Sequence, residues 1–214
     1  MRLPRDTDGI RYAVCESSDL PELIGLVSRT FTVNDPPARA VGLTPIEFQA
    51  YLTLVFRSAG TDKLTIVARN PETGEMAGAL LAQDSATPEP PGVDRLSPKF
   101  IPIMEILGSL DATHTDAPPE PGTMLHLFML GVTDAYSGRG IGQELVRACL
   151  ANSARLGYRR AITEATNPTS QHIFRKLGFA TRAQVSYADY RRDGVAVFAT
   201  IADAGGPMSM VLDI

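Results

Sequence analysis

The stretch TMLHLFMLGVTDAYSGRGIGQEL (residues 123–145) passes from an apolar run into a helical pattern, with glycines at the alternate positions 138, 140 and 142. Ordering a glycine in a helix costs roughly 1 kcal/mol more than ordering an alanine, so three at a helix mouth need a reason. A glycine-bearing loop between a strand and a helix supplies one. The first N–H groups of the helix lack intrahelical partners and the macrodipole is positive there, which makes an anion site. Glycines at 138, 140 and 142 clear side chains from those N–H groups, and Arg139 either adds charge or turns to solvent. Two familiar phosphate loops fail the spacing. A dinucleotide fingerprint needs its third glycine one residue later and early in the chain; a Walker loop needs Lys-Ser/Thr where Gln143 and Glu144 stand.

The order of elements around this loop narrows the fold. GIRYAVCESSD reads as a strand and a helix start, with Asp19 and Glu22 at capping-box spacing and Leu23, Ile24, Val27 and Phe31 on one face. TPIEF begins a second helix with Pro45 first and Glu47 third; Phe48, Leu52 and Val55 give its stripe and Gly60 its end. LTIVARN and GEMAGALLAQD read as a hairpin through PETG. Residues 85–122 form a proline-rich excursion with one short helix from about Pro98. The run 123–132 reads as a strand buried on both faces, because it does not alternate with polar residues. The next helix turns Ile141, Leu145, Ala148 and Cys149 inward and Gln143, Glu144 and Arg147 outward. After the strand RRAITEAT, NPTSQHIFRKLGF is a helix capped by Asn167 and stopped at Gly178, and extended segments are expected near 181–187, 194–201 and 207–213. With no repeat and no linker, residues 1–214 are expected to form a single α/β domain with an insertion at about 85–122.

Composition excludes several classes. A net charge of −4 gives no general field for nucleic acid. No apolar run approaches the ~20 residues of a membrane span, and MRLPRDTDGIRYAV has no secretory-type stretch. Cys15 and Cys149 make neither a metal spacing nor a disulfide framework and read as packing residues. The expectation is a cytoplasmic protein with no metal, no nucleic-acid partner and no membrane partner.

Ser137-Gly138-Arg139-Gly140-Ile141-Gly142 resembles the acyl-CoA loop of the GNAT acetyltransferases, Gln/Arg-x-x-Gly-x-Gly/Ala, with Ser137 replacing the usual first residue. The helix ending KLGF and the order of elements resemble the same family over the whole chain outside 85–122. The resemblance implies the GNAT acyl-CoA N-acyltransferase fold, a mixed, mostly antiparallel central sheet flanked by helices. It also implies acetyl-CoA as cosubstrate. A strand split after Gly131 would expose backbone at Leu130, Gly131 and Val132 to the pantetheine arm, and residues 138–142 would take the pyrophosphate. Asn167 and Ser170 would face the same groove, and Phe174 stands where many family members place a tyrosine acid.

Acetyl transfer to an amine needs a neutral amine, a polarised carbonyl and a stabilised leaving thiolate. Four residues are candidates for the proton chemistry. FTVNDPP resembles the "F…DEP" segment of the insect-type arylalkylamine and dopamine acetyltransferases, with Asp35 at the position of that branch's proposed base; it reads equally as a cap before two prolines. His126, inside the strand 123–132, suits proton transfer near neutral pH and also reads as a hydrogen-bonded core residue. Glu164 reads as a carboxylate of the cleft or of a salt bridge. Ser170 matches a serine assigned to proton transfer in the insect-type branch, or it closes the first helical turn. With Phe174 unable to act as acid, Ser170, water, or Tyr187 and Tyr190 of SYADY remain. SYADY too resembles that branch.

The expected function is direct acetyl transfer from acetyl-CoA to a small-molecule amine with general-base help, and a homodimer is compatible with it. Asp35, Glu164 and Asp189 near the cleft would favour a cationic amine. Two alternatives stand beside it: a non-catalytic acyl-CoA-binding or regulatory module on the same fold, and an acyltransferase acting on a protein or peptide amine.

Overall fold

The computed structural model describes residues 3–59, 63–111 and 119–214. It opens with a hairpin, β1 (Arg5–Thr7) and β2 (Ile10–Val14), followed by α1 (Leu20–Asn34), α2 (Pro36–Ala40) and α3 (Pro45–Ala59). Next come β3 (Ile66–Arg69), β4 (Met76–Asp84), α4 (Phe100–Asp111) and β5 (Met124–Val132). The chain finishes with α5 (Ile141–Leu156), β6 (Arg160–Ala165), α6 (Pro168–Lys176), β7 (Ala180–Gln184) and β8 (Met208–Asp213). Among the described residues eight strands form one sheet in the order β1-β2-β3-β4-β5-β6-β8-β7. Every neighbouring pair is antiparallel except β5 and β6, which run parallel. The result is the mixed, mostly antiparallel α/β sheet with flanking helices. Among the described residues no helix is long and apolar enough to cross a membrane.

Successive residues of a strand point to opposite faces, and the core divides accordingly. Ile66 and Ala68 of β3 join Leu145, Cys149 and Phe174 on the α5–α6 face, while Val67 joins Leu23, Val27 and Leu52 on the α1–α3 face. In β5 this alternation is broken on purpose. Leu125 and Leu127 face α5, but Met129 faces α1, although all three are two apart. The register against β4 shows why: Leu81 pairs with Met129 and Ala82 with Leu127, so Phe128 is an extra, bulged residue. A bulge bends its strand and raises the local twist. Pairing of β5 with β6 ends at His126↔Ile162, and the two strands then part.

Several sequence expectations are corrected. The strands part directly after His126, not after Gly131, because the bulge at Phe128 turns β5 away. Nor is β5 buried on both faces; its residues alternate between buried and half-buried, since one side lines open space. Asp19 and Glu22 do not cap α1. A 3₁₀ turn at Ser17–Asp19 precedes it, and both carboxylates instead take hydrogen bonds from Arg69 at 2.9 and 2.7 Å, tying α1 to β3. The segment 194–201 is not extended: a 3₁₀ helix covers Ala199–Ala204, because Phe198 folds inward against Tyr187 and Tyr190. Gly60 and residues 112–118 of the excursion lie outside the described residues.

Candidate active site

Three glycines of the loop do two different jobs. Gly138 and Gly140 have φ of +75° and +78°, and a Cβ on either would meet nothing within 4 Å. Their backbone needs glycine, and the space before them is open. Gly142 has ordinary φ; its Cβ would lie 3.4 Å from Ile173 and 3.7 Å from Leu130, so it is there to let α5 pack on α6 and β5. Gly140 is the N-cap of α5 and no side chain caps that end, which leaves the first-turn N–H groups facing the opening. Arg139 does not point at them. Its guanidinium lies over the Tyr136 ring, 5.2 Å from the centroid.

The loop borders a cavity of about 640 Å³ lined by Leu130, Gly131, Val132, Ser137, Gly138, Gly140, Ile141, Gly142, Asn167 and Ser170. Sequence reasoning passed over Thr30 and Asn34 on α1, and Thr169, His172 and Ile173 on α6, which line it too. Their helical spacing is the signal that was available. Gly131 allows α1 this close: a Cβ there would sit 2.7 Å from Thr30 Oγ1.

A second cavity, of about 750 Å³, opens between the parted strands. His126 and Phe128 of β5 and Ile162 and Glu164 of β6 line it, together with Phe31, Phe48 and Tyr51 of α1 and α3. The excursion contributes a wall through Phe100, Ile103, Met104 and Leu107 of α4. Phe100 packs on Phe48 and Tyr51 at centroid distances of 5.9 and 5.3 Å, which makes that wall aromatic. Glu47 latches the segment before α4, accepting from Ser97 Oγ at 2.8 Å and Lys99 Nζ at 3.0 Å while capping its own helix at Thr44.

The two cavities share Phe31, Asp35, Leu130, Asn167 and Ser170, and so meet at these residues. Asp35 is buried there, 7% exposed. Its Oδ2 accepts from the Ala38 N–H at 3.1 Å, capping α2, and its Oδ1 accepts from the Thr166 hydroxyl. Burial pushes its carboxyl up to about 6, against the pull of those two hydrogen bonds. Ser170 donates to the Asn167 carbonyl at 2.9 Å, so it closes the first turn of α6 while lining both cavities. His126 Nε2 lies 2.6 Å from Glu164 Oε2, the pair spanning β5 and β6 at the point of parting. Phe174 is buried edge-on to Phe179 and lines the larger cavity only.

Tyr187, Tyr190 and Asp189 line neither cavity. Tyr187 is fully buried and donates to the Thr166 carbonyl at 2.8 Å; burial and the nearby Asp35 hold its phenol far above the ordinary range. Tyr190 donates to Glu105. Cys15 and Cys149 are buried away from both cavities, and burial pushes each thiol up to about 12.

Comparison with known proteins agrees with this geometry. Residues 101–179, from α4 through the loop to the end of α6, match the model of the acetyltransferase (GNAT) family. Mycothiol acetyltransferase of Nocardia farcinica is 28% identical over 176 residues, 79% of this chain and 51% of the relative. The chain thus spans about half the length of that curated relative. Among solved structures, the C-terminal condensation domain of Ebony in complex with beta-alanyl-dopamine superposes with a TM-score of 0.86 at 16% identity, covering 96% of this chain and 99% of that one. Arylalkylamine N-acetyltransferase 2 from Aedes aegypti gives 0.80 at 21% identity, covering 97% and 100%. The parallel pair that parts and the uncapped glycine loop lie within the segment 101–179 that matches the GNAT acetyltransferase family, and the described chain shares the fold of these solved structures.

Proposed function

We propose that the protein is an acetyl-CoA-dependent N-acetyltransferase whose acceptor is a small amine with an aromatic or other flat apolar body. The observation that carries this reading is the meeting of the two cavities at Asp35, Asn167 and Ser170. The open, uncapped loop at Gly138–Gly140 fits a pyrophosphate, and Leu130–Val132 of the parted strand would hold the pantetheine arm. When bound, acetyl-CoA supplies the activated acetyl carbonyl.

An amine with a pKa near 10.4 is almost wholly protonated at pH 7 and cannot attack until it loses a proton. Asp35 is placed to take it. A carboxyl at about 6 is a stronger base than an ordinary one and is still mostly ionised at neutral pH. The Ser170 hydroxyl lies at the same junction, and turned from the Asn167 carbonyl it would donate to the leaving thiolate. Neither cysteine lines a cavity, which supports a reading of direct attack by the amine on the acetyl carbonyl. The aromatic wall from Phe48, Tyr51 and Phe100 favours a flat apolar acceptor. The names of two structural neighbours, an arylalkylamine acetyltransferase and a domain holding beta-alanyl-dopamine, point the same way.

The His126–Glu164 pair favours a second reading in which it, rather than Asp35, receives the proton. Asp35→Asn and His126→Gln, compared across pH, separate them: loss of the true base costs roughly 10²–10⁴-fold in rate and removes the acid limb. The function itself is tested by calorimetry with acetyl-CoA, then thiol release against small amines and peptides. Binding with no thiol release from any acceptor makes the protein a binding module. Release with peptides alone overturns the small acceptor.

A further inference from the structure

We infer that Thr166 is a positioning residue for Asp35, holding the carboxyl at the junction of the two cavities through its side-chain hydroxyl while Tyr187 pins its peptide. This rests on the reading of Asp35 as base. Thr166 follows the last residue of β6 and precedes the cap of α6. A threonine at such a place commonly spends its hydroxyl on the helix end. Here Asn167 performs the capping, accepting from Ser170 N–H at 2.9 Å, and the Thr166 hydroxyl is released to cross to Asp35 Oδ1. The Thr166 carbonyl is taken by Tyr187 Oη at 2.8 Å, and Tyr187 is itself locked in a cluster with Ile106 of α4 and Phe198. One residue therefore joins the end of β6, the α1–α2 corner and the cluster beneath α4.

The chemistry follows from the two oxygens of Asp35. Oδ2 is committed to Ala38 N–H and Oδ1 to Thr166 O–H, so the carboxyl plane is fixed, and each oxygen keeps a lone pair for a proton. Both bonds favour the charged form, whereas burial favours the neutral one. Tyr187 is the titratable group beside Asp35 on the segment after β7. His126, Glu164 and Glu89 face the larger cavity, Asp134 and His172 the smaller, and Asp203 lies on the 3₁₀ helix packed against α2. Removing the Thr166 hydroxyl leaves burial less opposed, and Asp35 then holds its proton to higher pH.

The test reads Asp35 twice, once without catalysis. Carbon-13 signals of the aspartate carboxyls, with Asp35 assigned by its loss in Asp35→Asn, are titrated in the wild type, Thr166→Val and Thr166→Ser. The same proteins are assayed for kcat/KM against pH. Thr166→Val should raise the Asp35 midpoint and the acid limb together by about one pH unit, giving about fivefold lower kcat/KM near pH 6, about tenfold below pH 5, and near-recovery above pH 8. Thr166→Ser should restore both. An unmoved Asp35 midpoint in Thr166→Val overturns the inference. A midpoint that moves while the acid limb stays put overturns the base assignment instead. Thr166→Ala, which removes the hydroxyl without adding bulk, gives the same reading should Thr166→Val not fold.

Discussion

At the scale of single residues, Asp35 does two things that its sequence context offers as alternatives. It caps a helix that begins at Pro36, and it stands where the two cavities join. Its carboxyl titrates near 6 in the fold against 3.8 ordinarily, so the folded state binds that proton more tightly than the unfolded chain. The sign is the reverse of a salt-bridged carboxylate: the contribution is full below about pH 4 and is lost as pH rises through 6. Relative to Asp35→Asn, the wild type should lose up to about 3 kcal/mol of unfolding free energy between pH 4 and 7.5, measured by urea denaturation. A pH-independent difference between the two proteins would contradict the buried, proton-holding carboxyl. For the loop, Gly140→Val forces a β-branched residue to φ near +78° and puts its branches into the open space. Affinity for acetyl-CoA should fall at least tenfold by calorimetry, with a stability cost of about 1–2 kcal/mol. Unchanged affinity would place the phosphates elsewhere.

At the scale of elements, β5 shows how one extra residue makes a cleft. The bulge at Phe128 reverses which face Met129 occupies and lets the strand leave β6 after His126. Nothing in the run MLHLFMLGV marks Phe128 as the bulged residue, since every neighbour is apolar. Helix α4 shows the opposite case: its apolar stretch is plain in sequence, but its place as a cavity wall comes from contacts far along the chain. Glu47 is one such contact, and hydrogen bonds from Thr44, Lys99 and Ser97 pull its carboxyl down to about 2. That contribution is present above pH 4.5 and is lost as pH falls toward 2. Glu47→Ala should raise the acceptor KM several-fold, leave acetyl-CoA affinity within about twofold, and cost roughly 0.5–2 kcal/mol through the lost cap. Equal loss of both affinities would show that the latch serves the whole fold and not the acceptor wall.

At the scale of the molecule, the proposed function seats acetyl-CoA and the amine in two cavities that meet at one junction, a reading in which both substrates are bound together. With neither cysteine on a cavity wall, initial-rate measurements varying acetyl-CoA and amine should give intersecting double-reciprocal lines. Parallel lines would reveal a covalent acyl-enzyme and overturn direct attack. Blocking thiols with iodoacetamide should leave activity within about twofold, because both thiols are buried and hard to ionise.

Local pattern was sufficient for much of this protein. The 3.6-residue apolar periods of α1, α3 and α5, the Thr44–Glu47 capping box and the PETG hairpin are decided by neighbours within a few residues, and so is the glycine loop at the uncapped start of α5. Those signals predict the α/β class and the glycine loop that opens α5. They miss α2 and β1, which are too short for a period to develop, and they misplace the strand split. What only the tertiary structure decides is what lies opposite what. The Thr166–Asp35 bond joins residues 131 apart in sequence, and the His126–Glu164 pair exists because β5 and β6 lie side by side. Helical and strand periods report which way a side chain points; only the packed fold supplies the partner it meets and the burial that sets its charge.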